Sequence, residues 1–124
     1  MEKIIWIVTS DANLRLKLPG LLQPLGYAVR LFKLAKSALR TLERENPPTA
    51  ILIESAALDM LAKLREKPKN VHLPVIVIAS EGGEALAEHV QRLGADGFLS
   101  KPVTTSALER TLQAAFQRRR AMAG

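Results

Sequence analysis

Thr49-Ala50-Ile51-Leu52-Ile53-Glu54 is the stretch on which the fold turns. Four apolar residues in a row, two of them β-branched, end on a carboxylate. That is the pattern of a strand buried on both faces, as in a parallel sheet. In open parallel α/β sheets, chemistry sits at the carboxyl ends of the strands. Glu54 therefore stands where a functional acid is expected.

Working outward, further apolar runs repeat this strand. Ile4-Ile5-Trp6-Ile7-Val8 precedes it, with Trp6 mid-strand and so assigned to the core. Pro74-Val75-Ile76-Val77-Ile78-Ala79 follows it. Ala28-Val29-Arg30-Leu31-Phe32 alternates, and Arg30 suggests an exposed face or an edge position. Gly97-Phe98-Leu99-Ser100 is a short fifth strand. Helical periodicity fills the gaps. Ser10 or Asp11 caps a first helix carrying Leu14, Leu18, Leu21, Leu22 and Leu25, which is expected to break or bend near Pro19 and to end at Gly26. A second helix runs from about Ala35 to Glu45, stopped by Asn46-Pro47-Pro48. A third runs from about Ala57 to Lys67, and Pro68 to Leu73 is a polar loop. After a loop over Ser80-Glu81-Gly82-Gly83, a fourth spans about Glu84 to Leu93, with Gly94 as its C-cap. The last starts near Thr104 to Ser106, with a Ser106/Glu109 capping box and Thr104 as competing caps.

Five strands alternating with five helices predict one α/β domain over residues 1–124, a three-layer sandwich around a parallel five-stranded sheet. Arg118 to Gly124 is either a tail or the start of a linker, and Arg118-Arg119-Arg120 reads first as a helix-end charge cluster. The crevice at the carboxyl ends should be lined by Thr9, Ser10, Asp11, Glu54, Ala79, Ser80 and Lys101.

Composition limits the function classes. The chain has 124 residues, 48% of them hydrophobic, and no cysteine, which excludes disulfides and thiolate metal sites. Apolar runs such as Ile4 to Val8 are far too short to span a bilayer, and Met1-Glu2-Lys3 leads directly into a strand, not a signal peptide. A cytoplasmic location and no membrane partner are expected. The net charge of +6 raises the question of nucleic acid. Most basic residues are spread singly over several helices, and Trp6 and Tyr27 make a poor stacking surface, so nucleic acid is not the expected partner. His72 and His89 lie apart and read as surface residues. Gly82-Gly83 lacks the lysine and hydroxyl spacing of a phosphate loop.

Three motifs carry a family likeness: Leu25-Gly26-Tyr27, Leu73-Pro74-Val75-Ile76-Val77, and Gly94-Ala95-Asp96-Gly97-Phe98-Leu99-Ser100-Lys101-Pro102-Val103. With the βα alternation, the chain resembles the receiver domain of bacterial two-component response regulators over nearly its full length. The resemblance implies a flavodoxin-like (βα)5 fold of strand order 2-1-3-4-5. Receivers of this family phosphorylate themselves on an aspartate at the end of the third strand. They use Mg²⁺ held by an acidic pair after the first strand, a hydroxyl after the fourth, and a lysine before proline.

The resemblance also shows what is missing. The acceptor position carries Glu54. The acidic pair aligns with Thr9 and Ser10, leaving Asp11 one residue further on. The hydroxyl position is Ala79, with Ser80 adjacent. Lys101 and Pro102 are kept, with the Lys101-Pro102 bond expected cis. Phe98 takes the position of a rotating aromatic switch and is expected to be permanently buried. Mg²⁺ needs near-octahedral oxygen coordination and is not expected to bind, so no cofactor is expected. The reading is a pseudo-receiver, not an enzyme, that acts in signal transduction by binding protein or itself through the fourth-helix, fifth-strand, fifth-helix face. Glu88, Gln91, Arg92, Arg110, Gln113 and Gln117 would decorate that face. The alternatives are a phospho-accepting receiver with a non-standard site and a basic nucleic-acid-associated regulator. Glu54 either mimics a phosphorylated aspartate through Lys101 or is a tolerated polar residue at a strand end. Glu54 and Lys101 are expected within ion-pair reach.

Overall fold

A computed structural model describes residues 2–80 and 83–123 of the chain. Strands β1 (Ile4–Val8), β2 (Ala28–Phe32), β3 (Ala50–Glu54), β4 (Val75–Ala79) and β5 (Gly97–Ser100) alternate with helices α1 (Ala12–Leu22), α2 (Ala35–Arg44), α3 (Asp59–Glu66), α4 (Glu84–Arg92) and α5 (Thr105–Ala123). The strands form one parallel sheet of order β2-β1-β3-β4-β5. The continuous apolar strands are explained by this order, because β1, β3 and β4 are interior and covered on both faces. β2 is an edge strand, and Arg30 on it is exposed.

Side chains alternate across the pleat and divide the core in two. Ile5, Ile7, Leu52, Ile76 and Leu99 pack against Leu14, Leu18 and Leu22 of α1 and Leu108, Leu112 and Ala115 of α5. Trp6, Val8, Ile51, Ile53 and Val77 pack against α2, α3 and α4 through Leu42, Leu61 and Val90. Trp6 is a core residue, its ring centroid 4.8 Å from that of Phe32.

Local departures have identifiable causes. α1 is not broken at Pro19: the helix runs through it to Leu22, and the Gln23 amide still donates to the Pro19 carbonyl. Proline removes one helical donor, while Leu14, Leu18 and Leu22 hold both halves of the helix on the sheet. The interruption comes at Pro24, in a 3₁₀ turn over Gln23–Leu25 that ends at Gly26 with φ +95°. Gly94 closes α4 with φ +106°. The expected third helix is a 3₁₀ turn over Ser55–Ala57 followed by α3 proper. The Pro68–Leu73 loop contains a 3₁₀ turn over Pro68–Asn70, and Asn70 is buried. At the start of α5 it is Thr104 that caps, its Oγ1 accepting from the Ala107 amide at 3.2 Å. The expected loop over Glu81-Gly82, and Gly124 at the chain end, lie outside the described residues. Among the described residues, no helix is long and apolar enough to cross a membrane.

Arg118 and Arg119 form no free helix-end cluster; they reach back to Asp96, whose side chain is fully buried. Asp96 Oδ1 accepts from Arg118 Nε at 3.0 Å and Arg119 Nε at 2.6 Å. Its Oδ2 accepts from Arg65 Nη2 at 3.0 Å and from the Val75 amide at 3.0 Å. Arg65 also donates to the carbonyls of Asn70, Leu73 and Gly94, and Arg119 to those of Val71 and Gly94. One carboxylate thus ties α3, the turn after it, the start of β4, the entry to β5 and the end of α5. Burial, and then the neighbouring Arg119, lower Arg65 from its ordinary value to about 10, still charged at neutral pH. Asp96→Asn should cost about 3–5 kcal/mol, because it leaves the Arg65 and Arg119 charges without their partner. Arg118→Gln, at a more exposed side chain, should cost no more than about 1 kcal/mol. Urea midpoints compare the two; equal losses would mean that the carbonyls alone hold the arginines.

Candidate functional site

The carboxyl ends of β1, β3 and β5 bring Thr9, Asp11, Glu54 and Lys101 together. Register accounts for this: Val8 lies beside Ile53, Glu54 beside Ile78, and Ala79 beside Ser100, so the chain leaves all of these strands at one level. Thr9 follows β1 and is buried. Its Oγ1 donates to Glu54 Oε1 at 2.6 Å and accepts from the Asp11 amide at 3.0 Å. Asp11 is the N-cap of α1, its Oδ1 accepting from the amides of Asn13 at 2.8 Å and Leu14 at 3.2 Å. That is what an aspartate at this position does for the first-turn donors.

Lys101 joins the two acids. Its Nζ donates to Asp11 Oδ2 at 2.7 Å and to Glu54 Oε2 at 3.2 Å. The expected Glu54–Lys101 pair is present, but Asp11 is the nearer counter-ion. The Lys101-Pro102 bond is cis, as expected, and the Lys101 amide donates to the Ala79 carbonyl at 2.9 Å. The bond from Lys101 is the main influence holding Asp11 below its ordinary 3.8, with the Leu14 amide second. In return, Asp11 is the main influence raising Lys101 above 10.5; burial opposes this and Glu54 adds to it.

Other candidates lie outside this cluster. Ser10 and Ser80 are exposed, and neither side chain makes a hydrogen bond among the described residues. Ala79 is buried and brings only a methyl group. Phe98 is half-buried on the α4 side, not enclosed. His72 and His89 are exposed and separate. Among the described residues, no three acidic, histidine or cysteine groups gather into one cluster. Sequence reasoning missed Arg15, whose Nη1 donates to the Thr9 carbonyl at 3.1 Å.

The family model of the response regulator receiver domain matches residues 5–113. The chain belongs to the receiver domain family of response regulators. It is 31% identical over 113 residues to the "uncharacterized 14.6 kDa protein in sodA1 3′ region" of Leptolyngbya boryana, covering 88% of this chain and 86% of that one. It is 27% identical over 115 residues to the chemotaxis protein CheY1 of Helicobacter pylori, covering 86% and 91%. The receiver spans 53% of nodulation protein W of Bradyrhizobium diazoefficiens and 8% of the adventurous-gliding motility protein Z of Myxococcus xanthus. A putative response regulator from Chloroflexus aurantiacus superposes with a TM-score of 0.86 at 20% identity, over 94% of this chain and 99% of that one. The receiver domain of a sensor histidine kinase from Pseudomonas aeruginosa, crystallised with a magnesium ion in its active-site cleft, superposes with a TM-score of 0.82 at 22% identity, over 94% and 99%. At these identities the likeness is one of fold.

The ion pairs of this receiver set a pH window. Asp11 is held below its ordinary value, so its contribution is present above about pH 4 and is lost as pH falls through the folded value. Lys101 is held above its ordinary value, so its contribution is present below about pH 10 and is lost as pH rises through the folded value. Lys101→Met should lower the urea midpoint near neutral pH, and the difference should shrink toward pH 2, as Asp11 takes up a proton and its bond to Lys101 loses its charge. A loss of the same size at both pH values would assign the effect of Lys101 to packing and not to charge.

Proposed function

We propose that this receiver signals by binding protein and does not take up phosphate. One observation carries the reading: the Lys101 ammonium bonds both Asp11 and Glu54, so these two acids of the cleft, among the described residues, already hold an internal cation. Mg²⁺ prefers near-octahedral oxygen coordination built on carboxylates. To reach it here, an ion must displace Lys101 and compete with the cap bonds of Asp11. The donor set does not fit that metal. Glu54 also carries its carboxylate one methylene further than aspartate would, and its second oxygen is held by Thr9. In-line transfer depends on placement at the ångström level. The methyl group of Ala79 gives no hydroxyl at the end of β4 for a phosphoryl group.

What the domain keeps is a surface. Gln91 on α4 and Arg110 on α5 line hollows of the α4–β5–α5 face, and Glu88, Arg92 and Gln117 are exposed on the same two helices. Gln113 is also exposed but lies on the other flank of α5, beside Leu25 and Tyr27. In this reading the protein is a binding module, not a catalyst, and a protein partner or a second copy meets it on that face. The net charge alone does not favour nucleic acid, because Asp96 and Glu45 take up several of the arginines.

Incubation with acetyl phosphate and Mg²⁺ followed by intact mass should show no phosphoryl group added. Glu54→Asp alone should not change this, because Lys101, Thr9 and Ala79 remain. A stoichiometric gain of one phosphoryl group on the natural chain would overturn the proposal and establish a working acceptor with a non-standard site.

A further inference from the structure

β5 is an edge strand, with α4 on one face of the sheet and α5 on the other. Its open edge therefore forms the floor of a cleft between two helices. Two adjoining hollows of about 210 and 360 Å³ share Asp96, Gly97 and Phe98. Ala87, Val90 and Gln91 wall the first, and Ala107, Thr111 and Ala114 wall the second. Gly97 leaves the strand backbone bare there; a Cβ on it would lie 2.6 Å from Thr111 Cγ2. An edge strand presents N–H and C=O groups without strand partners.

Among the described residues, the charge of this cleft left without a full set of partners is positive. Asp96 is the carboxylate in both hollows, and its oxygens already accept four donors. Arg65 and Arg119 place every guanidinium nitrogen on Asp96 or a carbonyl. Arg118 does not: Nε is on Asp96, and neither terminal nitrogen makes a hydrogen bond among the described residues. Its side chain is 41% exposed and lines the first hollow. Arg110 lines the second, with only its Nε bonded, to the Ser106 carbonyl of its own helix. Arg110 and Arg118 stand eight residues apart on α5, about 12 Å of helix rise between their backbone positions. An extended segment covers that distance in about four residues.

We infer that the β5 cleft takes an extended acidic segment of a protein partner, laid along the strand edge with carboxylates on Arg118 and Arg110. This rests on the reading of the α4–β5–α5 face as the binding surface, and it adds the chemistry of the partner. Guanidinium groups recognise carboxylates through paired donors in a fixed geometry. Alternate side chains of the segment would meet the half-buried ring of Phe98 and the small residues of the walls.

The test uses a fluorescein-labelled peptide of alternating Glu and Val, followed by anisotropy. The whole chain should bind it, and a Lys and Val peptide should not bind. Arg118→Gln and Arg110→Gln should each weaken binding by about two- to fivefold, the scale of one partly exposed ion pair. Ala114→Trp, which fills the cleft, should abolish binding, and Arg40→Gln on the exposed face of α2 should leave it unchanged. Absence of binding overturns the inference, as does equal binding by the Arg118 and Arg110 variants or an equal loss in Arg40→Gln, which marks a diffuse polyanion effect. Sedimentation separates this from the broader reading. Self-association that Ala114→Trp disrupts, without peptide binding, would keep the face as an interface and reject the acidic strand.

Discussion

The Lys101 ammonium, shared between Asp11 and Glu54, is the interaction on which the functional end of this domain depends. Two carboxylates brought together by β1 and β3 repel each other unless a cation lies between them. In this chain the cation is built in, delivered by the residue that follows β5. Thr9 completes the arrangement by donating to the other oxygen of Glu54. The cleft is therefore electrostatically closed from within, and each member has a second structural duty. Asp11 caps α1, Thr9 receives the Asp11 amide, and the Lys101 backbone pairs with Ala79. Charge, capping and strand pairing all hold the same geometry.

The opposite end of β5 is organised by a similar constraint with the signs reversed. Asp96 enters the strand as one buried carboxylate surrounded by Arg65, Arg118 and Arg119. β5 is only four residues long and weakly apolar, yet it runs between two ionic clusters that fix both of its ends. A short edge strand anchored this way can keep an open edge without gaining length or hydrophobicity.

The fold was legible because the strands carry continuous β-branched and apolar runs and the helices carry leucines at helical spacing. Both patterns report burial, and burial decides the layers. The cleft was legible as far as position goes, since residues at the carboxyl ends of parallel strands must converge. What the sequence did not show is partner choice. Lys101 was read against Glu54, yet Asp11 is nearer, because a side chain at a helix N-cap is fixed by its own amides and a glutamate is not. Arg119 and Asp96 are separated by 23 positions, and an arginine in a basic run gives no local sign of being buried. Pro19 misled in the other direction: its local penalty is real, but three buried leucines outweigh it. Phe98 was expected enclosed because a phenylalanine at the switch position has no hydroxyl to bring to the surface, and the edge position of β5 accounts for its partial exposure.

The central claim is that the acids of the cleft are occupied by an internal counter-ion. A Mg²⁺ titration followed by amide NMR tests it most directly, because it reads metal occupancy without any chemical step. The account predicts no saturable shift at Asp11, Glu54 or their neighbours through the low-millimolar range. Saturable shifts centred on Asp11 and Glu54 at those concentrations would contradict it, and would mean that Lys101 yields its place to the metal.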